Sequence, residues 1–188
     1  NCLSGYAEML KPGLIRTPRH LDELLAFDAE QPDYALLKDM VGRSVQVKED
    51  IVDQDPKEHG IRKALNLGHT IGHAFESLAL AEDRPVLHGY AVAWGLVCEL
   101  YLSHLQAGFP QDRMRQVIQF IKENYGAFPF TCKHYDRLYE LMLHDKKNTA
   151  GVINFTLLKD VGDISLNQTA DKDTIFETFD FFRECMGL

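Results

Sequence analysis

Residues 62–76 have the sequence RKALNLGHTIGHAFE, and the interpretation of the whole chain starts from this stretch. A guanidinium, an amide, two imidazoles and two glycines lie within about four helical turns, which is more than core packing requires. If the stretch is one helix, Asn66, His69 and His73 follow at i, i+3 and i+7 and share one stripe. The pattern therefore predicts a helix whose polar stripe faces a substrate, a metal ion or both.

The composition limits the kinds of partner. With 188 residues, 45% of them hydrophobic, the chain is long enough to form one domain, residues 1–188, with a core of its own. A formal net charge of -8 and a pI near 5.4 argue against nucleic-acid and membrane-surface partners, which need a basic face. Four scattered cysteines without a C-x-x-C pair indicate neither a disulfide framework nor a cysteine zinc site. We therefore expect a soluble protein in a reducing cytoplasm, since no apolar run of about 18 residues and no signal-peptide pattern is present.

Helical periodicity dominates the chain and predicts a mainly α fold. The predicted helices begin near Pro18 and Tyr34 or span 62–76, 88–104, 113–124, 135–143 and 173–185, with a loop at 53–60. The helix at 88–104 is apolar nearly all round, which is typical of a buried helix. Two β-rich segments at 152–158 and 163–166, joined across Gly162, predict one small β-hairpin near 152–166.

The histidines suggest a metal site. His69 and His73 are four residues apart, a spacing at which two imidazoles of one helix can meet one zinc ion, although the glutamate of an H-E-x-x-H protease is absent. His88 follows a short loop and can return to the same place. A catalytic zinc usually takes three protein ligands, and Glu8 is the third candidate. Judged by itself, Glu8 with Lys11 three residues later is more often an ordinary surface ion pair.

Several cations border polar turns. Lys48, Arg62 and the adjacent Lys146 and Lys147 could together hold an anion, arginine as a planar bidentate donor and lysine as a point charge. Each of them alone is better explained as a solvated surface residue. Neither G-x-G-x-x-G nor a triphosphate-binding loop occurs, so we assign no cofactor-binding residue to this chain.

At these residues the chain resembles the C-terminal half of the 3-dehydroquinate synthase family. The motifs that carry the resemblance are Gly5-x-Ala-Glu8-x-x-Lys11, Lys48 before an acidic loop, Gly60-x-Arg62-x-x-Leu-Asn66-x-Gly-His69-Thr-x-Gly-His73-Ala-x-Glu76, His88-Gly-x-Ala-Val-Ala-x-Gly95, and Asp145-Lys146-Lys147. Pro12, inside a segment expected to be helical, and Gln54, at a commonly acidic position, depart from the family pattern.

The resemblance implies roles for the motif residues. Glu8, His69 and His88 would be the ligands of a divalent metal, zinc before cobalt. His73 would then transfer protons instead of binding the metal, Lys11 would contact substrate hydroxyls near the metal, and Asn66 would act with them. The residues implied to hold the substrate are Lys48, Arg62, Asn66 and one of Lys146 or Lys147, the last near the phosphate.

The resemblance also implies a reaction. The family converts 3-deoxy-D-arabino-heptulosonate 7-phosphate to 3-dehydroquinate and phosphate in the shikimate pathway of aromatic amino-acid biosynthesis, as a phosphate-eliminating carbon–oxygen lyase. NAD transiently oxidises a ring hydroxyl, phosphate leaves, the ketone is reduced and the ring closes by an aldol step.

The same resemblance implies a larger enzyme. An N-terminal Rossmann-like domain, absent from this chain, would bind NAD, and the parent enzyme would be a homodimer. The first residue is Asn1 and motif residues follow at once, so we expect a piece of a longer polypeptide that is inactive alone.

Three alternatives stay open. A related sugar-phosphate cyclase, such as a 2-deoxy-scyllo-inosose or valiolone-type synthase, would keep the metal ligands and change the substrate pocket. A non-catalytic helical module would use the histidines for packing or for a structural metal, whose coordination protein ligands normally close. A metal-dependent alcohol dehydrogenase of the wider two-domain superfamily would share the architecture.

Overall fold

The computed structural model describes residues 2–145 and 151–188. Within these ranges the chain forms eight α-helices, two short 3-10 helices and one two-stranded sheet. The α-helices are α1 (Cys2–Arg16), α2 (Pro18–Leu25), α3 (Tyr34–Gln54), α4 (His69–Ala81), α5 (His88–Ala107), α6 (Gln111–Tyr125), α7 (Tyr135–Leu143) and α8 (Lys172–Met186); the 3-10 helices are Ile61–Asn66 and Cys132–His134, and the strands are β1 (Asn154–Asp160) and β2 (Asp163–Thr169). The prediction of a mainly helical fold with one small hairpin is confirmed.

Local capping residues begin several helices close to the predicted positions. Thr17 accepts a hydrogen bond from the backbone of His20 and precedes Pro18, so α2 begins with a side-chain cap and a proline at its first position. Asp33 caps α3 and Asp171 caps α8 in the same way. Because these capping residues are local in sequence, the starts of these helices can be predicted from the sequence.

Helix α5 is the central element of the core. It contacts α1, α4, α6, α8 and β1, and most of its length is buried on all sides, as its apolar sequence predicts. Its glycines allow close packing, because a Cβ on Gly95 would lie 2.0 Å from the carbonyl oxygen of Gly68. The backbone of α5 therefore touches the backbone that begins α4.

The hairpin packs one strand on the core. β1 pairs with β2 in antiparallel fashion, and Leu157 and Leu158 of β1 are fully buried. Gly162 in the turn has φ +79 and donates its backbone N–H to the carbonyl oxygen of Leu14 at 2.8 Å. The turn is thus tied to α1, and β2 continues to Thr169, three residues beyond the predicted end.

The prediction that residues 62–76 form one helix is wrong. A 3-10 helix ends at Asn66 and α4 starts at His69, because Gly68 has φ +83, a left-handed conformation that interrupts an α-helix. Asn66 is therefore not on the stripe that carries His69 and His73. The two histidines stay on one face of α4, with ring centroids 4.9 Å apart.

Pro12 does not end the first helix. α1 continues to Arg16 with Pro12 inside it, although proline has no N–H to donate to the carbonyl of residue 8. The departure from the family pattern at Pro12 therefore leaves Glu8 and Lys11 on one continuous helix.

Among the described residues, no helix combines the length and apolarity needed to cross a lipid bilayer.

Candidate metal centre and substrate site

The start of α5 lies directly against one face of α1. Ser4 Oγ accepts a hydrogen bond from the backbone N–H of Gly89 at 3.0 Å, and a Cβ on Gly89 would come within 1.9 Å of the Ser4 carbonyl oxygen. Glu8 lies about one turn after Ser4 on the same face of α1, and His88 is the first residue of α5. The contact brings His88 Nε2 to 3.5 Å from Glu8 Oε1.

The start of α4 also lies close to Glu8. The contact between Gly68 and Gly95 holds the start of α4 against α5. It places His69, the first residue of α4, beside α1. His69 Nε2 lies 4.0 Å from Glu8 Oε1. Three helices thus bring one carboxylate and two imidazoles together.

The geometry of Glu8, His69 and His88 fits a small divalent metal ion. One ligand atom from each lies within 4.8 Å of the others, and ligand atoms around tetrahedral zinc lie roughly 3.3 Å apart at metal–ligand distances of about 2.0–2.1 Å. Glu8 Oε1 is buried and has no hydrogen-bond partner among the described residues. A buried, unsatisfied carboxylate oxygen is costly, and a bound cation would satisfy it. His73 is not in this compact group.

Lys11 contacts two members of this group. Its Nζ is 2.9 Å from Glu8 Oε2 and 2.7 Å from His69 Nε2, and the residue is 3% exposed. Because an ammonium group only donates, His69 Nε2 must be the acceptor, so the lone pair that a metal needs is on this nitrogen. Lys11 and a metal ion therefore compete for the same lone pair on His69 Nε2. Metal binding at this nitrogen requires Lys11 to move away from His69.

Lys48 approaches the same carboxylate from α3. Its Nζ is 3.9 Å from Glu8 Oε2, and its side chain is 38% exposed. The pairing of Glu8 with Lys11 on one side of α1 is observed, and Lys48 lies near the same carboxylate.

Glu76 orients one of the candidate ligands. Its Oε1 lies 3.0 Å from His88 Nδ1, and an ionised carboxylate can only accept, so His88 carries its proton on Nδ1. The lone pair of His88 is then on Nε2, which points towards Glu8. Carboxylates in this position commonly fix the tautomer of a metal-bound histidine.

His73 lies beside the group and is paired with a different carboxylate. Its Nδ1 is 3.3 Å from Asp145 Oδ2, and its ring centroid lies 5.9 Å from that of His88. The side chain is 35% exposed. This arrangement separates a proton-transfer candidate from the candidate ligands.

Asn66 lines a cavity of about 220 Å³ between the first 3-10 helix and the hairpin, together with Lys63 and Thr70. Asn66 Nδ2 donates to Glu58 Oε1 at 3.1 Å. Glu58 has φ +57, a conformation rare for residues other than glycine and frequent at functional sites. A polar cavity thus adjoins the turn that begins α4.

Arg62 is held in the loop before this cavity. Its Nη1 donates to the carbonyl oxygen of Pro56 at 2.7 Å. The Asp55 carboxylate accepts backbone N–H groups from Gly60 at 2.6 Å, from Arg62 at 3.1 Å and from His59 at 3.1 Å. These hydrogen bonds, that of Gly60 first, hold the pKa of Asp55 below its ordinary value. The remaining candidates, Lys146 and Lys147, lie outside the described residues.

Besides Asp145, the partner of His73, the sequence interpretation assigned no role to four carboxylates. Glu76 lies within the quoted motif, and Asp55 and Glu58 lie in the loop before it. A fourth, Glu99, is fully buried in α5. Its signal in the sequence is a single charge inside an otherwise apolar helix.

A family model matches most of this chain. Residues 5–148 match the model described as 3-dehydroquinate synthase C-terminal. Two curated relatives are similar over nearly all of the chain, and both are 3-dehydroquinate synthases. The one from Parabacteroides distasonis is 57% identical over 100% of this chain and 53% of its own length. The one from Corynebacterium diphtheriae is 32% identical over 94% of this chain and 49% of its own length.

Two solved structures share the fold. A 2-epi-5-epi-valiolone synthase from Streptomyces hygroscopicus with NAD+ and Zn2+ bound superposes with a TM-score of 0.77 and 22% identity, over 97% of this chain and 51% of that one. A 2-deoxy-scyllo-inosose synthase complexed with carbaglucose-6-phosphate, NAD+ and Co2+ gives a TM-score of 0.76 and 21% identity, over 96% and 51%.

The chain spans about half the length of the curated relatives that it matches. The family model covers most of the chain and includes Glu8, His69, His88 and the contact between Gly68 and Gly95. The chain therefore belongs to the 3-dehydroquinate synthase family, whose C-terminal part it matches.

Proposed function

We propose that this chain is the metal- and substrate-binding part of a 3-dehydroquinate synthase, which converts 3-deoxy-D-arabino-heptulosonate 7-phosphate to 3-dehydroquinate and phosphate. The observation that carries the proposal is the convergence of Glu8, His69 and His88 around a buried carboxylate oxygen without a hydrogen-bond partner among the described residues. Three protein ligands are typical of catalytic zinc, which leaves a position for water or substrate. The proposed metal is zinc, with cobalt as the alternative.

The lysines beside the metal ligands would bind and orient the substrate. The chemistry that the metal supplies when bound is Lewis-acid polarisation of a substrate hydroxyl. Lys11, released from His69, would donate to that hydroxyl or its neighbour, and Lys48, whose Nζ lies 3.9 Å from Glu8 Oε2, would help to hold the substrate. Holding a polyhydroxylated substrate in one orientation converts binding energy into alignment.

His73 would move a proton. Asp145 accepts from Nδ1 at 3.3 Å, so the basic atom of the imidazole is Nε2. A histidine whose tautomer is set by a carboxylate can accept a proton from substrate and return it in a later step.

The substrate carboxylate and phosphate would be held by the loop cations. Arg62 offers a planar pair of donors, and Asn66 offers an amide at the edge of the polar cavity. We propose that Lys146 or Lys147 lies near the phosphate, as the family resemblance implies.

The hydride step would need a domain beyond these 188 residues. We propose that an N-terminal Rossmann-like domain binds NAD, that this chain alone does not turn over substrate, and that the complete enzyme is a cytoplasmic homodimer. The half-length match to the curated relatives supports the first two statements.

Metal binding tests the centre directly. We expect the chain to bind one Zn2+ in a chelator-competition titration, and Glu8→Ala, His69→Ala and His88→Ala each to weaken binding strongly. His104→Ala is a matched control, because His104 bonds only the carbonyl of Phe109 among the described contacts. Full metal retention in all three ligand variants would reject the site.

Substrate choice is tested by a chimera. The C-terminal half of the Parabacteroides distasonis synthase is replaced by this chain, and phosphate release is measured with the heptulosonate phosphate and with glucose 6-phosphate. We expect turnover of the first only. Turnover of glucose 6-phosphate alone would identify a different sugar-phosphate cyclase, and metal binding without either activity would favour a non-catalytic module.

A further inference from the structure

The N-terminus of α4 has no capping side chain of its own. Its N-cap residue is Gly68, and no local side chain accepts a hydrogen bond there. A Cβ on Gly68 would lie 3.0 Å from Leu96 and 3.2 Å from the carbonyl oxygen of Val92, and φ is +83. Close packing on α5 therefore excludes serine, threonine and aspartate, the usual N-cap residues.

A buried carboxylate of α5 supplies the missing cap. Glu99 Oε1 accepts the backbone N–H of Gly68 at 3.0 Å, and Oε2 accepts the backbone N–H of Ile71 at 3.1 Å. These are the N-cap and third positions of α4, the two that a capping box satisfies within one helix. The positive end of the helix dipole further favours a negative charge at this point.

His69 lies between the two bonded residues. Its backbone follows Gly68 directly, so the two bonds to Glu99 fix the turn from which the imidazole extends towards Glu8. Glu99 is also about three turns after His88 on the same helix. α5 therefore carries one candidate ligand directly and sets the position of the other through a carboxylate.

Burying the Glu99 carboxylate costs free energy unless its hydrogen bonds to the start of α4 compensate. The side chain is fully buried inside an apolar helix, where a hydrophobic residue would pack without desolvating a charge. The negative charge and burial together raise the pKa of the neighbouring Cys98 thiol, burial being the larger cause.

We infer that Glu99 is a positioning residue for the metal centre, which holds His69 at coordination distance by capping α4 from α5. The inference rests on the proposed metal site. Outer partners of metal ligands typically change metal affinity by about 10–100-fold when they are removed.

The test compares two caps of the same chemistry. Glu99→Gln keeps the shape but leaves one backbone N–H without an acceptor, and Asp171→Asn alters the carboxylate cap of α8, which accepts from Thr174. Zn2+ affinity is measured by chelator competition, and the visible spectrum of the Co2+-loaded chain reports ligand geometry. We expect Glu99→Gln to weaken Zn2+ binding at least tenfold and to change the Co2+ spectrum, whereas Asp171→Asn lowers the melting temperature and leaves both metal readouts as in the unmodified chain.

Each other outcome decides the question. If Glu99→Gln binds Zn2+ with unchanged affinity and an unchanged Co2+ spectrum, Glu99 serves stability alone and the inference is wrong. If Glu99→Gln does not fold, Glu99→Asp, which shortens the carboxylate by one carbon, takes its place under the same two criteria. If the unmodified chain and Asp171→Asn also fail to bind metal, the proposed metal centre fails, and with it the basis of this inference.

Discussion

The two sides of the candidate site are held in different ways. On the metal side, backbones touch: a Cβ on Gly95 would meet Gly68 O at 2.0 Å, and the buried Glu99 ties α4 to α5. On the proposed substrate side, Asp55 holds the loop that carries Arg62 by accepting hydrogen bonds from its backbone N–H groups, and Glu58 has a left-handed backbone conformation. The candidate metal ligands are thus held by close packing of helices, and the loop that carries Arg62 is held by a few part-buried or exposed hydrogen bonds.

The largest effect should come from Gly95→Ala. The new methyl group would overlap the start of α4, so we expect the free energy of unfolding to fall by more than about 3 kcal/mol, at the upper end for overpacking. Chemical denaturation measures this change. The matched control is Gly42→Ala on α3, which has open space around it and should gain about 0.5–1 kcal/mol, because alanine favours a helix. Equal stability of the two variants would show that α4 and α5 do not pack closely.

Next in size is Glu76→Ala. Without this acceptor His88 is no longer held with its proton on Nδ1, and we expect Zn2+ affinity to fall about tenfold, as for other partners of metal-bound histidines. Glu82→Ala is the matched control, because Glu82 also bonds a histidine, His134, at 3.0 Å away from the metal ligands. An equal loss of affinity in both variants would contradict the orienting role of Glu76.

A smaller and more local effect is expected from Asp55→Ala. The backbone N–H groups of Gly60 and Arg62 lose their acceptor, so their hydrogen exchange should accelerate while Zn2+ affinity stays constant.

In the unmodified chain the pKa of Asp55 is lowered by these hydrogen bonds. The contribution of Asp55 to folding stability is therefore present above the ordinary aspartate pKa and is lost as pH falls through the folded value. The Gly60 amide chemical shift, followed by NMR, should titrate with a midpoint below pH 3.8, the ordinary pKa of aspartate. A midpoint above that value would contradict these hydrogen bonds.

The smallest effect concerns the anchoring of α3, which carries Lys48. His20 Nε2 lies 3.1 Å from Ser44 Oγ, and burial, followed by the charge of Arg43, lowers the pKa of His20. The unfolded chain therefore binds the proton more readily, and stability should decrease as pH falls through about 6.5 towards the folded pKa. His20→Asn should flatten the pH dependence of the unfolding free energy between pH 7.5 and pH 5. An unchanged slope would show that His20 does not contribute to it.

Much of the fold is accessible from sequence because its signals are local. Thr17 and Asp33 cap helices that their own neighbours begin, and the uniform apolarity of residues 88–104 already indicates a buried helix. The break at Gly68 is not accessible in this way, since RKALNLGHTIGHAFE satisfies a helical pattern throughout. The left-handed turn there packs closely against Val92 and Leu96 of another helix, a contact that no local pattern reveals.

The sequence by itself determined the family and the residue types of the candidate site, because motif spacing and helical periodicity are properties of neighbouring positions. The tertiary structure decided which of these residues meet: Glu8 with His69 and His88, Lys11 with Glu8 and His69, and His73 with Asp145 instead of with the candidate ligands. It also decided that Glu99 caps a helix other than its own. These relations depend on helix crossings, where the packing of glycine backbones brings together residues that are far apart in the chain.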